Sequence, residues 1–122
     1  MQLKISNRQS GDVMVVDLDG RVVIGTENDA LNEQLEKMAR GGGKKLLVNL
    51  AKVTQLDSSG ICTLVRGFTT AKNSGGVFKI VHAGGKVHEV LEVMHLTRAI
   101  PTFDDEAKAI ASFSAATGSA PR

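Results

Sequence analysis

The side chains best suited to chemistry in this sequence lie in the tetrapeptide Asp57-Ser58-Ser59-Gly60. A serine hydroxyl can accept a phosphoryl group, and a helix N-terminus tolerates the added charge because its N–H groups are unpaired and its dipole is positive. Phosphoserine carries about −1.5 to −2 charges at neutral pH, which a surface docked on the unmodified serine would not accept. The same four residues also suit plain helix capping, in which Asp57 accepts a backbone N–H two or three residues on.

The elements around the tetrapeptide determine where its hydroxyls point. Residues 44–50 form an apolar run with the length of a buried strand, and in residues 61–68 apolar side chains recur at helical spacing. The tetrapeptide is therefore predicted at a strand-to-helix turn. Ser58 then lies at or near the first helical position, where a small side chain is expected to face water.

A catalytic serine is the alternative interpretation of this motif. A nucleophilic serine needs a base within hydrogen-bond reach and an oxyanion hole. The motif lacks the Gly-x-Ser-x-Gly pattern, and no histidine or lysine is placed by sequence logic to activate Ser58 or Ser59. The sequence therefore does not predict an enzyme. Cys62, one turn further on, is expected to be a small, half-buried residue, with redox chemistry as its alternative role.

Metal and cofactor sites are not predicted either. His88, Glu92 and His95 fall near one another on a predicted helix and include zinc-ligand types, but their spacing differs from the i, i+4 histidine pair of zinc helices. A solvated polar face is the preferred interpretation. The glycine clusters 41–43 and 75–76 lack the Gly-Lys-Ser/Thr ending of a phosphate-binding loop, and each follows a helix, where glycine serves as a C-cap.

Length and composition describe one small domain. The 122 residues suffice for an ordinary core, and 42% of them are hydrophobic. The net charge is +2 without blocks of like charge, which argues against a nucleic-acid surface. Cys62 is the only cysteine, which fits a reducing compartment. Because the sequence has neither a signal-peptide core nor an apolar run of about 20 residues, a cytoplasmic protein is expected.

Strand and helix patterns alternate along the chain. The predicted elements are hairpin strands 3–8 and 13–18, a brief strand 22–24, a helix opened by Thr26 with Asp29 completing its cap, strand 44–50, a loop 51–56, the helix opened by Asp57, strand 77–81, a helix after residues 84–85, an edge strand 100–103 containing Pro101, and a final helix after 104–106. Such alternation implies parallel pairing with helical crossovers. We expect a single α/β domain over residues 1–116, a mixed sheet covered by about four helices, and a flexible tail, 117–122.

Taken together, these features resemble the STAS domain family, in particular the anti-sigma factor antagonists of bacteria. The resemblance covers residues 3–115. It rests on Gly20 after the strand 13–18, on the strand 46–50 followed by Val53, on the tetrapeptide in this register, and on Ser74-Gly75-Gly76 at the end of the next helix. A STAS fold is what the resemblance implies for the whole chain.

The resemblance also implies a phosphorylation switch. The first serine of the pair is the phosphorylated one in the family, and it corresponds to Ser58. The implied partner-binding surface combines Asp57, Ser58, Ser59 and Gly60 with Ile24, Gly25 and Thr26. The unphosphorylated protein would bind an anti-sigma factor with a histidine-kinase-like ATPase fold and serine kinase activity, and so free a sigma factor for transcription. Phosphorylation would end this interaction, and a metal-dependent serine phosphatase would restore it.

Val23 departs from the family pattern. Many members carry an acidic residue three positions after the glycine that corresponds to Gly20, in a region that helps to contact the kinase. This departure keeps open a second function, that of a constitutive scaffold subunit, as some STAS domains are in stress-signalling assemblies or lipid transporters. The resemblance also leaves open a nucleotide sensor, since some STAS relatives are thought to bind nucleotides. Direct binding of nucleic acid or membrane is not expected, nor is an obligate small-molecule ligand.

Overall fold

The structure, a computed structural model, describes residues 3–41, 45–82, 84–93 and 99–118. Its strands are β1 (Leu3–Ser10), β2 (Val13–Val22), β3 (Lys45–Leu56), β4 (Val77–Val81) and β5 (Thr102–Phe103). Its described helices are α1 (Thr26–Ala39), α2 (Ser58–Asn73), α3 (Gly85–Val93) and α4 (Glu106–Gly118). None of these helices is long and apolar enough to cross a membrane.

The five strands form one mixed sheet in the order β1-β2-β3-β4-β5. β1 and β2 pair antiparallel as a hairpin, while β2 with β3, β3 with β4, and β4 with β5 pair parallel. Each parallel pair is joined by a crossover, as the strand–helix alternation requires. The prediction of a single α/β domain with an N-terminal hairpin is confirmed, and the short strand after Pro101 lies at the sheet edge, as predicted.

The strands divide their side chains between two cores because successive residues point to opposite faces. On β2, Val16 and Leu18 face the layer of α1, α2 and α3, whereas Val13 and Val15 face α4. The first core also takes in buried residues of β3 and β4, including Leu46, Val48, Leu50, Phe78 and Ile80. The second core is smaller and consists of Val13, Val15, Leu47, Val81, Ala109 and Phe113.

The end of β2 differs from the sequence prediction. A separate strand at 22–24 is wrong, because β2 continues through Gly20 to Val22. The backbone at Gly20 has a φ of 121°, which a residue with a side chain rarely adopts. The pairing with β3 shifts register on both sides of this glycine. Gly20 therefore bends and bulges the strand without ending it.

The end of β3 differs in the same way. The loop predicted at 51–56 is wrong, because β3 runs to Leu56 and pairs there with the extension of β2. Val53 and Leu56 are buried and hold this part of the strand against the helical layer. Lys52, Thr54 and Gln55 interrupt the apolar residues of this segment, so no regular alternation marks it as a strand in the sequence.

Gly67 lies inside α2 because β4 packs against it. A Cβ atom at this position would lie 2.9 Å from Cε2 of Phe78, closer than side chains normally pack. Glycine lowers helix propensity by about 1 kcal/mol relative to alanine, but its lack of a side chain allows the Phe78 ring to pack against the helix backbone. This close contact packs α2 against β4.

The C-terminal part of the chain is described up to Gly118. The helix α4 extends two residues past the domain end predicted at residue 116. The remaining residues of the predicted tail, 119–122, lie outside the described part, as does His95, which the sequence places near His88 and Glu92 on a solvated polar face.

Candidate functional site

The candidate site forms where β2 and β3 end side by side. Val22 and Leu56, the last residues of these parallel strands, are paired partners. The loop from β2 to α1 and the turn from β3 to α2 therefore leave the sheet at the same edge. This register brings Ile24 into hydrogen-bond contact with the tetrapeptide Asp57-Ser58-Ser59-Gly60, although more than 30 residues separate them in sequence. Gly25 and Thr26 follow Ile24 at the start of α1.

Asp57 connects the two segments with both oxygens of its carboxylate. Oδ1 accepts a hydrogen bond from Gly60 N at 3.0 Å and so caps α2, as the sequence predicts. Oδ2 accepts a second hydrogen bond from Ile24 N at 2.9 Å. The Asp57 N–H in turn donates to Val22 O at 3.3 Å. The helix start, the loop and the strand end are thus held by one residue.

These hydrogen bonds also fix the charge of Asp57. Its pKa lies below the ordinary value of 3.8, chiefly because Ile24 N donates to the carboxylate and secondarily because Gly60 N does. Asp57 is therefore ionised at neutral pH. Any further negative charge at the first turn of α2 meets this carboxylate as a neighbour.

Gly60 is required by packing. Its position is buried, and a Cβ atom there would overlap the carbonyl oxygen of Val22 and lie 2.7 Å from Cδ1 of Leu56. Because one of these neighbours is backbone, the clash cannot be relieved by a rotamer change. The glycine of the motif thus lets α2 approach the paired strand ends closely.

The two serines of the motif occupy different environments. Ser58, the first residue of α2, is exposed, whereas Ser59 is half-buried. The Ser59 carbonyl oxygen lies 3.1 Å from the Thr63 hydroxyl. Ser58 thus offers the more accessible hydroxyl of the pair, and its role as phosphoacceptor stays a prediction.

The β2–α1 loop presents an apolar side chain beside the motif. Ile24 is 78% exposed, and Gly25 and Thr26 after it are also exposed. The capping role predicted for Thr26 with Asp29 is wrong: the N-cap of α1 is Gly25, which makes no side-chain capping bond. Gly25 has a φ of 148° and a ψ of 176°, a conformation that favours glycine, and this turn leaves Ile24 facing outward.

A buried polar contact lies behind the site and was missed in the sequence. The Thr63 hydroxyl of α2 donates to Asn28 Oδ1 of α1 at 2.8 Å, and both residues are at least 95% buried. It lies beneath a groove of about 300 Å³ between the two helices, lined in part by Ile24 and Ser59. The sequence could have indicated this contact, because Asn28 lies three residues before Leu31 and so falls on the buried, otherwise apolar face of α1.

The sequence offered two further candidates, Cys62 and the polar face of α3. Cys62 is exposed, so the expectation of a half-buried residue is wrong; it lies one turn after Ser58 and lines the same groove as Ile24 and Ser59. On α3, Nε2 of His88 lies 3.6 Å from Oε2 of Glu92, an i, i+4 contact between two exposed side chains. That contact fits the solvated polar face expected from the sequence.

Comparison with known proteins assigns the family. The model of the STAS domain family matches residues 4–109. An anti-sigma F factor antagonist of Paenibacillus polymyxa is 23% identical over 110 residues, which cover 90% of this chain and 94% of the relative. The crystal structure of an anti-sigma factor antagonist from Mycobacterium paratuberculosis superposes with a TM-score of 0.82 at 18% identity, over 93% of this chain and 95% of that one.

A STAS domain protein from Planctomyces limnophilus superposes with a TM-score of 0.78 at 25% identity, over 90% of this chain and 97% of that one. The family model itself covers the hairpin, both site segments and the start of α4. The chain belongs to the STAS domain family.

Proposed function

We propose that this chain is a cytoplasmic anti-sigma factor antagonist whose binding is switched by phosphorylation of Ser58. The unphosphorylated protein binds an anti-sigma factor with serine kinase activity and so frees a sigma factor for transcription. The kinase transfers the γ-phosphoryl group of ATP to Oγ of Ser58 and releases ADP. A serine phosphatase hydrolyses the phosphoserine and restores binding.

The observation that carries this proposal is the exposure of Ser58 at the first position of α2. Asp57 holds that start by hydrogen bonds to Gly60 N and Ile24 N, so the serine sits at a defined place on the surface. The name of the Paenibacillus polymyxa relative agrees with the proposed role. The role is one of binding, in which the partner supplies the catalytic groups.

The physical basis of the switch is local charge. A phosphate on Ser58 stands beside the ionised Asp57 carboxylate, and in a docked complex both are partly removed from water. Unphosphorylated Ser58 brings no such penalty. A differential of about 3 kcal/mol would weaken binding more than a hundredfold, since each ~1.4 kcal/mol is a factor of ten. No large refolding of the domain is required.

Binding measurements on two variants test the switch. The probes are the histidine-kinase-like serine kinases of the organism that encodes this chain, each purified and titrated by calorimetry. Ser58→Ala removes the phosphoacceptor and is expected to retain binding, whereas Ser58→Asp adds a fixed charge and is expected to weaken it at least tenfold. Thr69→Asp, at an exposed position three turns further along α2, is the matched control for added charge and is expected to leave binding unchanged. Equal, tight binding by Ser58→Ala and Ser58→Asp would contradict the switch.

Val23 favours a second candidate function, a constitutive scaffold subunit. This half-buried valine replaces the acidic residue that many members of the family carry there. The scaffold function predicts no phosphate on Ser58 and a stable larger complex on size exclusion. Intact-mass measurement with site mapping, on protein purified from its native cells with phosphatases inhibited, separates the two candidates. A nucleotide-sensing domain, the third alternative, would instead show a thermal shift with GTP or ATP.

A further inference from the structure

We propose that Asp57 is a positioning residue for partner binding, because its carboxylate holds the β2–α1 loop in the conformation that displays Ile24. This inference rests on the proposed function and adds a second role to the tetrapeptide. The motif carries the phosphoacceptor, and it also sets the position of an apolar contact on a different segment. Ile24 is the side chain that the partner covers.

The two oxygens of Asp57 have separate tasks. Capping α2 uses only Oδ1, which accepts from Gly60 N, and a serine, threonine or asparagine would cap a helix comparably well. The bond from Ile24 N uses Oδ2 and lies outside the helix. A carboxylate offers two acceptor oxygens in a fixed plane, whereas an amide or hydroxyl side chain offers one oxygen. The second bond therefore explains why the cap is an aspartate.

The loop depends on this bond for its conformation. Gly25, which follows Ile24, is the N-cap of α1 and makes no side-chain capping bond, and glycine has the widest choice of backbone conformations. Ile24 itself is 78% exposed, so few packing contacts hold its side chain in place. The hydrogen bond from Ile24 N to Asp57 therefore restricts the backbone of the residue whose side chain is exposed.

A fixed Ile24 binds better than a mobile one. An exposed isoleucine offers apolar area to a partner, and a loop already in its bound conformation loses less entropy on association. Ser58 and Ile24 leave the sheet at the same edge, so one partner surface can cover both. Asp57 thus links the modifiable hydroxyl to the apolar contact through two hydrogen bonds.

The first test measures the loop directly, by amide hydrogen exchange in the folded chain. Asp57→Asn and Asp57→Ser each keep a capping oxygen and lose the second acceptor. We expect exchange at the Ile24 amide to accelerate at least tenfold in both variants, with the Gly60 amide unchanged. Asp105→Asn, at the start of α4, is the matched control and should leave both amides unchanged. Unaltered exchange at Ile24 in both variants overturns the inference, whatever the partner.

The second test is a double-mutant cycle on binding to the serine kinase that phosphorylates Ser58. Asp57→Asn and Ile24→Ala are each expected to weaken binding about tenfold, or ~1.4 kcal/mol. If Asp57 acts through Ile24, the double variant binds no more weakly than Ile24→Ala alone. Additive losses overturn the positioning role and leave the proposed function intact. Failure of every purified kinase to bind the unmodified chain overturns both.

Discussion

The starts of α2 and α4 are both capped by an aspartate side chain, but they differ in their contacts with the rest of the domain. Asp57 precedes α2 and accepts from the N–H of Gly60, three residues on, at 3.0 Å. Asp105 precedes α4 and accepts from the N–H of Lys108, also three residues on, at 3.3 Å. Judged by capping alone, the two helix starts are equivalent.

Their surroundings separate them. At α2 the capping carboxylate also binds the Ile24 amide of a neighbouring loop, and the residue at the third helical position is buried against backbone. At α4 the corresponding residue, Lys108, is exposed, and the helix start is tied to the sheet by Glu106, which pairs with Arg8 of β1. The two starts differ in what the second oxygen of the capping carboxylate contacts. At α2 it binds a neighbouring loop, and this tertiary contact distinguishes the candidate site from an ordinary helix cap.

The largest expected difference between the two starts lies at their third positions. Gly60→Ala forces a Cβ atom into the Val22 carbonyl and should lower the free energy of unfolding by about 3 kcal/mol. Lys108→Ala, its counterpart in α4, should change that free energy by less than about 0.5 kcal/mol. Urea unfolding at 25 °C measures both. A loss below about 1 kcal/mol for Gly60→Ala would mean that the ends of β2 and β3 shift to accommodate the added methyl group. It would contradict the expected difference between the two helix starts.

A smaller difference is expected when the capping carboxylates themselves are removed. Asp57→Ala leaves two backbone N–H groups without their acceptor and should lower the free energy of unfolding by about 2 kcal/mol, against about 1 kcal/mol for Asp105→Ala. Thermal and urea unfolding of the two variants give the comparison. Equal losses would show that the bond to Ile24 adds nothing to stability.

The smallest effect is expected from the ion pairs of Arg8, which join β1 to β2 and to the start of α4. Arg8 Nε lies 2.6 Å from Asp17 Oδ2, and Arg8 Nη2 lies 2.6 Å from Glu106 Oε1, with all three side chains partly exposed. Because water screens such pairs, Arg8→Gln should lower the free energy of unfolding by only about 1 kcal/mol at pH 7. Lys4→Gln, an exposed neighbour on the same strand, is the control.

The pH dependence of this effect follows from the carboxylates. Hydrogen bonding to Arg8 is the main cause that lowers the pKa of Asp17 below 3.8 and that of Glu106 below 4.5. Groups with a lowered pKa stabilise the fold fully above their unfolded values and lose that contribution as the pH falls through the folded ones. The difference between the protein and Arg8→Gln should therefore shrink below about pH 4. A constant difference from pH 7 to pH 3 would contradict the ion-pair account.

Much of the fold was predictable because it depends on local patterns. The hairpin, the strand 77–81 and the helix opened by Asp57 follow from apolar spacing and from capping, which act over a few residues. The continuation of β2 past Gly20 and of β3 past residue 50 could not be predicted in this way. Each extension is stabilised by the other, through the pairing of Val22 with Leu56, and neither carries a regular alternation of its own.

The sequence by itself determined the identity of the tetrapeptide, its place at a strand-to-helix turn and the capping role of Asp57. These depend on hydrogen bonds within four residues, so no distant segment is needed to form them. Only the tertiary structure decided that Ile24 binds the second oxygen of Asp57 and that Gly60 must be glycine. Both depend on the register between β2 and β3, which joins segments more than 30 residues apart and is set by the burial of the whole sheet.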